Sequence, residues 1–247
     1  MSEPHDIDFV LRPWPFKPGV IAARLVPAAD GREVLQMRIE MGLLQMEVAG
    51  RPDGEHPGGA DTCLEWLREL VRVEGESFTL NEEQCVEIDR EFLQFYHRRI
   101  CYLQLRQFAR ALADADYTVA LMDFVVAHSP NPQWTLSHEQ YRPFVLFHRT
   151  QAAAMLALEN SGPEIAIESI DQGLEQMRAV FAKFGAEEQF DRDELVSQLA
   201  VMKESLRQEY RVGKTLAEQL ADAVAAEEYE HAARLRDQIT KRRGGTL

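Results

Sequence analysis

The residues best suited to hold a charged ligand are arginines that stand beside histidines in the middle of the chain. Arg98 and Arg99 follow His97, and Arg149 follows His148. Paired guanidinium groups match the geometry of a carboxylate, so these three arginines are the candidates for anchoring an acidic peptide in a groove. The plainer alternative is that both histidines are half-buried and make ordinary hydrogen bonds.

The sequence lacks the patterns of familiar catalytic sites. Cys63, Cys85 and Cys101 form no CxxC pair, so the sequence predicts neither a zinc ribbon nor a framework of disulfides. This use of cysteine is typical of a reducing compartment. The glycine-rich stretch 49–60 is not followed by Gly-Lys-Ser/Thr, so it is not a phosphate-binding P-loop. Neither HExxH nor G-x-S-x-G occurs. We therefore expect no catalytic activity, no metal and no cofactor.

The net charge of the chain argues against one class of partner, nucleic acid. Its 247 residues carry a formal net charge of −14, with a pI near 5.0. Phosphate contacts need clustered lysine and arginine, so this balance argues against wrapping nucleic acid. The start has no basic segment followed by an apolar run, and no apolar stretch approaches the ~20 residues of a membrane helix. We expect a cytoplasmic protein without a membrane segment.

A mainly α-helical fold is predicted, with β structure only near the start. Residues 1–60 are predicted to form a proline-rich arm, a β-hairpin and a connector loop. Apolar and polar residues alternate from Leu35 to Leu43, which predicts a strand, and residues 20–26 supply its partner. A further strand around 45–48 would stabilise the pair.

Helical patterns follow from residue 61 onward. The first helix is predicted over 61–73, and long helices then follow in series. Predicted helix starts are marked by polar residues at capping spacing: Thr79 and Glu82, Ser137 and Gln140, Ser161 with Pro163, and Asp191 and Glu194.

The last stretch of the chain predicts two short amphipathic helices. On the first, Leu216, Leu220 and Val224 fall at i, i+4 and i+8. Each helix is near the length at which an isolated helix is marginal in water, and the pair leaves one apolar flank uncovered. The residues predicted to bind a partner are Leu216, Leu220, Val224, Tyr229, Ala232, Ala233, Leu235, Arg236 and Ile239.

This segment, 215–243, resembles the UVR motif, the terminal helical hairpin of the excision-repair proteins UvrB and UvrC. The resemblance rests on the ordered series Leu216, Leu220, Ala223-Val224, Glu227 to Glu230, Ala232-Ala233, Leu235 to Asp237 and Ile239. In that family the hairpin pairs with a partner hairpin, and it also occurs in an activator of bacterial protein arginine kinase and in Clp-type ATPases. The resemblance implies association and a bacterial source. The alternative is a solvated hairpin that packs only on its own domain.

Residues 90–185 show a weaker resemblance to degenerate tetratricopeptide (TPR) repeats. Ala153-Ala154, Ala157, Ala166 and Gly173 place small residues where the two helices of a repeat would cross. The predicted organisation is thus an N-terminal segment 1–60, a TPR-like antiparallel helical stack over 61–212, and a UVR hairpin with a basic tail over 213–247.

Three classes of function compete. The first is a bacterial adaptor that docks through its hairpin onto a UVR-containing protein or a second copy of itself, in nucleotide excision repair or in protein quality control. The second is a repair factor that contacts DNA directly, which the negative charge disfavours. The third is an enzyme using the N-terminal hairpin and loop 49–60, for which the sequence offers no nucleophile, base or metal cluster.

Overall fold

The computed structural model describes residues 6–244, so residues 1–5 of the predicted arm and 245–247 of the predicted tail lie outside it. The described residues group into two compact units, Met1–Arg149 and Thr150–Leu247. The division at residues 60 and 212 is a different partition and stays a prediction. The fold is mainly α-helical with one small sheet, as predicted.

Three antiparallel strands form the sheet in the order β1-β2-β3. β1 covers Ala22–Pro27, β2 covers Glu33–Ile39 and β3 covers Gly42–Glu47. The hairpin and the added third strand are confirmed. The prediction of one continuous strand from Leu35 to Leu43 was wrong, because the chain reverses at Glu40–Met41, where Met41 is 89% exposed.

The arm before the sheet is held by Trp14. A short helix, α1 (Asp8–Leu11), precedes it. The guanidinium carbon of Arg24 lies 4.2 Å from the centre of the Trp14 ring, and the Trp14 carbonyl accepts a hydrogen bond from Nε of Arg38 at 2.8 Å. A cation over an aromatic face and a charge-assisted hydrogen bond therefore fix the arm on β1 and β2.

Ten further helices follow within the described residues, with single 3-10 turns at Pro57–Gly59 and Gly75–Ser77. The helices are α2 (Cys63–Glu74), α3 (Glu82–Gln104), α4 (Phe108–His128), α5 (Pro132–Glu139), α6 (Arg142–Asn160), α7 (Pro163–Lys183), α8 (Glu187–Phe190), α9 (Glu194–Tyr210), α10 (Leu216–Ala225) and α11 (Tyr229–Gly244). No helix within residues 6–244 is both long enough and apolar enough to cross a bilayer.

Several helix starts differ from those predicted. The capping box of α3 is formed by Asn81 and Gln84, since each side chain accepts the other's backbone N–H at 2.9 Å, and not by Thr79 and Glu82. Asp193, rather than Asp191, caps α9. Two or three capping residues stand close together at each start, and periodicity alone does not choose between them.

The other two starts agree with the predictions only in part, since α7 does begin at Pro163 as predicted. Gly162 precedes α7 and no side chain caps it, so Ser161 does not have the capping role predicted for it. The helix predicted to begin at Ser137 is two helices, because the chain breaks between Glu139 and Arg142.

Each unit has buried residues of its own. In the first, Leu67 of α2, Ile88 of α3 and Leu121 of α4 are buried in one cluster. In the second, Gly173 of α7 faces Thr150 so closely that a Cβ at position 173 would meet the threonine hydroxyl oxygen at 1.9 Å. Small residues therefore do mark a close helix crossing here, while the resemblance to TPR repeats stays weak.

Candidate docking site

The terminal hairpin begins at a capping box that fixes the first turn of α10. The hydroxyl of Thr215 accepts the backbone N–H of Glu218 at 3.2 Å, and the Glu218 carboxylate accepts the backbone N–H of Thr215 at 2.9 Å. Thr215 is fully buried. Two backbone N–H groups that would otherwise lack partners are satisfied, which stabilises the helix start.

The Glu218 carboxylate also ties the hairpin to α9. It accepts a hydrogen bond from Nη2 of Arg207 and lies 3.0 Å from Nζ of Lys203. The same Nζ lies 2.5 Å from Asp171 on α7. Partial burial alone would raise the pKa of Glu218, but the bonds from Arg207, Thr215 and Lys203 hold it at about 2. The hydrogen bond to Glu218 raises the pKa of Arg207. The hairpin is thus anchored at its base by charge-assisted hydrogen bonds.

A small apolar interior joins α10 to α11. Ala223, Ala232 and Leu235 are buried there, and Leu216 and Leu220 pack against them. The turn between the helices passes through Glu227, whose φ of 59° is left-handed, and closes with a hydrogen bond from the Glu228 N–H to the Ala223 carbonyl at 2.8 Å. Leu216, Leu220, Ala232 and Leu235, predicted to bind a partner, therefore hold the hairpin itself together.

Val224 does not lie on the same side of α10 as Leu216 and Leu220, with which it was predicted to form one apolar stripe. It is 53% exposed, and Ala223 takes the inward position. At about 100° per residue, seven positions return within ~20° of two full turns, whereas eight overshoot by ~80°. The spacing Leu216, Leu220, Ala223 therefore keeps one face better than a stripe ending at Val224.

The outer side of α10 carries small apolar residues that the rest of the described chain does not cover. Ala217, Ala221, Val224 and Ala225 are all exposed and recur at helical spacing. We call these four residues the alanine face. Ala217, Ala221 and Ala225 were not among the residues predicted to bind a partner, although they recur at i, i+4 and i+8 in the sequence.

The remaining predicted contact residues lie on α11. Tyr229 is 68% exposed at its first position, and Ala233 and Arg236 are exposed as well. Ile239 is half-buried. Tyr229 adds an aromatic ring to the exposed apolar surface of the hairpin, and Arg236 adds a cation.

The predicted groove of three arginines is not present as a surface. Arg98 is buried and donates to Asp114 at 2.9 and 2.7 Å, and its third nitrogen donates to the carbonyls of Glu47 and Gly50 at 3.0 and 2.8 Å. Arg99 is buried beside it. The prediction that Arg98 presents its charge to a peptide was wrong, because the fold itself takes up its guanidinium.

Arg149 is separate from that pair. It is half-buried and lies 2.5 Å from Asp116 on α4. His97 is half-buried and His148 is buried, and burial lowers the pKa of both, for His148 to about 3 with help from the Arg99 charge. His148 accepts a hydrogen bond from Nε of Arg99 at 3.3 Å, so for this histidine an ordinary hydrogen bond is present, as in the plainer alternative.

Comparison with known proteins finds a match in the terminal hairpin. No curated protein and no solved structure matches the chain. Residues 213–242 match the sequence model of the UvrB/uvrC motif, which confirms the resemblance predicted for 215–243. The hairpin of α10 and α11, with its alanine face, is thus the part of this chain that is similar to the UvrB/uvrC motif.

Proposed function

We propose that this chain is a non-catalytic bacterial adaptor that binds its partner through the alanine face of the terminal hairpin. The observation that carries the proposal is that α10 uses one side to pack on α11 and leaves its other apolar side exposed. The match to the UvrB/uvrC motif supports a partner that carries a hairpin of the same kind, or a second copy of this chain.

The alanine face suits helix packing. Alanine side chains let another helix approach closely, and Val224 is placed to enter the groove between side chains of that helix. α10 is only 10 residues long, so burial of its second side would add stability that the helix lacks on its own. Non-directional apolar contact of this kind favours a partner helix over a small polar ligand.

Two settings fit such an adaptor. One is nucleotide excision repair, linked to UvrB or UvrC, and the other is protein quality control, linked to a Clp ATPase or an arginine kinase. The net charge of −14 favours a protein partner over direct DNA contact in either setting.

The test is affinity capture from a bacterial lysate with the full-length chain as bait. Val224→Asp places a charge on the alanine face, and Val201→Asp is the matched control, since Val201 is an exposed valine of α9. We expect wild type and the control to capture a protein with its own UvrB/uvrC-type hairpin, or a second copy, and Val224→Asp to lose it. Equal capture by all three baits would overturn the proposal.

A further inference from the structure

An aromatic-walled pocket of about 660 Å³ lies in the first unit, where α3 faces the residues around the α5–α6 break. Its walls include Phe92, Tyr96, Tyr141 and Phe144. The rings of Phe92 and Tyr141 lie 6.2 Å apart, and those of Tyr96 and Phe144 lie 6.0 Å apart. This volume and lining are in the range that accommodates a small organic molecule.

The mouth of the pocket combines apolar surface with one carboxylate. Leu93 is 57% exposed there, and half of the Tyr141 surface is exposed. Asp89 is also part of the lining, and its Oδ1 lies 2.9 Å from Nε2 of His138 and 3.3 Å from Nε1 of Trp134. A negative charge at the mouth disfavours a second negative charge on a ligand.

Arg99 lines the same pocket although it is only 1% exposed. Its Nε donates to Nδ1 of His148 at 3.3 Å, and its Nη1 donates to the Thr118 hydroxyl at 2.9 Å. Within the described part of the chain, no residue accepts a hydrogen bond from its Nη2. That nitrogen is the part of the guanidinium left for a ligand.

The surroundings of Arg99 do not balance its charge. The charge of Asp114 acts on Arg99, but both oxygens of Asp114 are already bonded to Arg98. His148 is neutral, because burial and the Arg99 charge lower its pKa to about 3. Burial also lowers the pKa of Arg99, to about 10, which leaves it charged at neutral pH. Two guanidiniums therefore share one carboxylate, and an anion beside Arg99 would offset the cost of this buried charge.

We propose that this pocket binds a small monocarboxylic acid with an apolar body. The carboxylate pairs with Arg99, and the body lies among the rings of Phe92, Tyr96, Tyr141 and Phe144. The acid carries one carboxylate, since a second at the mouth would face Asp89. This site involves no residue of the terminal hairpin, so it is independent of the proposed docking function.

The experiment is isothermal titration calorimetry on the full chain with three probes. They are 4-phenylbutyrate, its neutral amide, and the dicarboxylate phenylsuccinate. Because a hydrogen bond to a charged group is worth ~1.5–3 kcal/mol, we expect the monocarboxylate to bind about tenfold or more tightly than the amide. Phenylsuccinate is expected to bind more weakly than 4-phenylbutyrate.

Two variants assign the effect to the pocket. Arg99→Met should reduce the affinity for the acid to that for the amide, with circular dichroism reporting whether the variant folds. Leu93→Asp tests the same site at an exposed position, so it decides the matter if Arg99→Met does not fold. It should weaken acid binding severalfold, while Val73→Asp, an exposed valine outside the lining, should not. The proposal is overturned if acid and amide bind equally, if neither binds, or if Leu93→Asp leaves acid binding unchanged.

Discussion

Glu218 of α10 accepts a hydrogen bond from Arg207 of α9 while it closes the capping box with Thr215. One carboxylate therefore both starts the first helix of the hairpin and attaches the hairpin to the helix before it. The direction in which the alanine face is presented depends on this attachment, because Glu218 lies one residue after Ala217 on the same helix.

Glu218→Gln should loosen the hairpin without unfolding the rest of the chain. The amide keeps the shape of the side chain but loses the charge that Arg207 and Lys203 bond, and each charge-assisted hydrogen bond is worth ~1.5–3 kcal/mol. Hydrogen exchange should show lower protection for the α10 amides and unchanged protection for α3. Glu209→Gln, an exposed residue of α9, is the control and should leave α10 protection as in wild type.

The same carboxylate predicts a response to acid. The folded-state pKa of Glu218 is about 2, below its ordinary value of 4.5, so its contribution to stability is fully present above pH 4.5. That contribution is lost as the pH falls through about 2. The difference in hairpin protection between wild type and Glu218→Gln should therefore shrink between pH 4.5 and pH 2. A difference that stays constant over this range would contradict the assignment.

Asp114→Ala should be strongly destabilising because it leaves Arg98 and Arg99 buried without their carboxylate. Removing one partner of a buried ion pair costs ~3–5 kcal/mol. Asp116→Ala removes the carboxylate that pairs with Arg149 near the surface, and a pair of that kind is worth ~0–1 kcal/mol. Urea denaturation followed by circular dichroism should separate the two variants, and similar midpoints would show that the Arg98 pair is not a structural anchor.

Gly173→Ala should destabilise the second unit. The added methyl would stand 1.9 Å from the Thr150 hydroxyl oxygen, so α6 and α7 must move apart at their crossing. Overpacking of this kind costs ~1–3 kcal/mol. Gly213→Ala is the matched control, since a Cβ there meets nothing within 4 Å, and only Gly173→Ala should lower the thermal midpoint.

Periodicity predicted most of the elements, because the apolar spacing of a helix or strand is set by the face it buries. It placed Val224 on the same face as Leu216 and Leu220, because spacings of seven and eight residues are hard to tell apart on a helix of ten residues. Packing against α11 shows that Ala223, and not Val224, lies on that face. Periodicity extended β2 past its end because Met41 and Leu43 continue the alternation of the strand through the two-residue turn.

The sequence did not reveal which side chains pair when they are far apart in the chain. Arg98 and Arg99 stand side by side in the chain, yet their partners Asp114, Thr118 and His148 come from two other helices. A pair of arginines gives no sign of whether a carboxylate from elsewhere will neutralise it. The charge imbalance around Arg99 depends on how α3, α4 and α6 pack together, which the sequence does not show.

Photo-crosslinking from the alanine face tests the central claim most directly. A diazirine amino acid is placed at position 221, in the middle of the face, and at position 201 on α9 as the control. We expect position 221 to crosslink to a UvrB/uvrC-type hairpin, of a partner or of a second copy, and position 201 not to. Adducts of equal yield at both positions, or adducts from 221 that map outside any such hairpin, would contradict it.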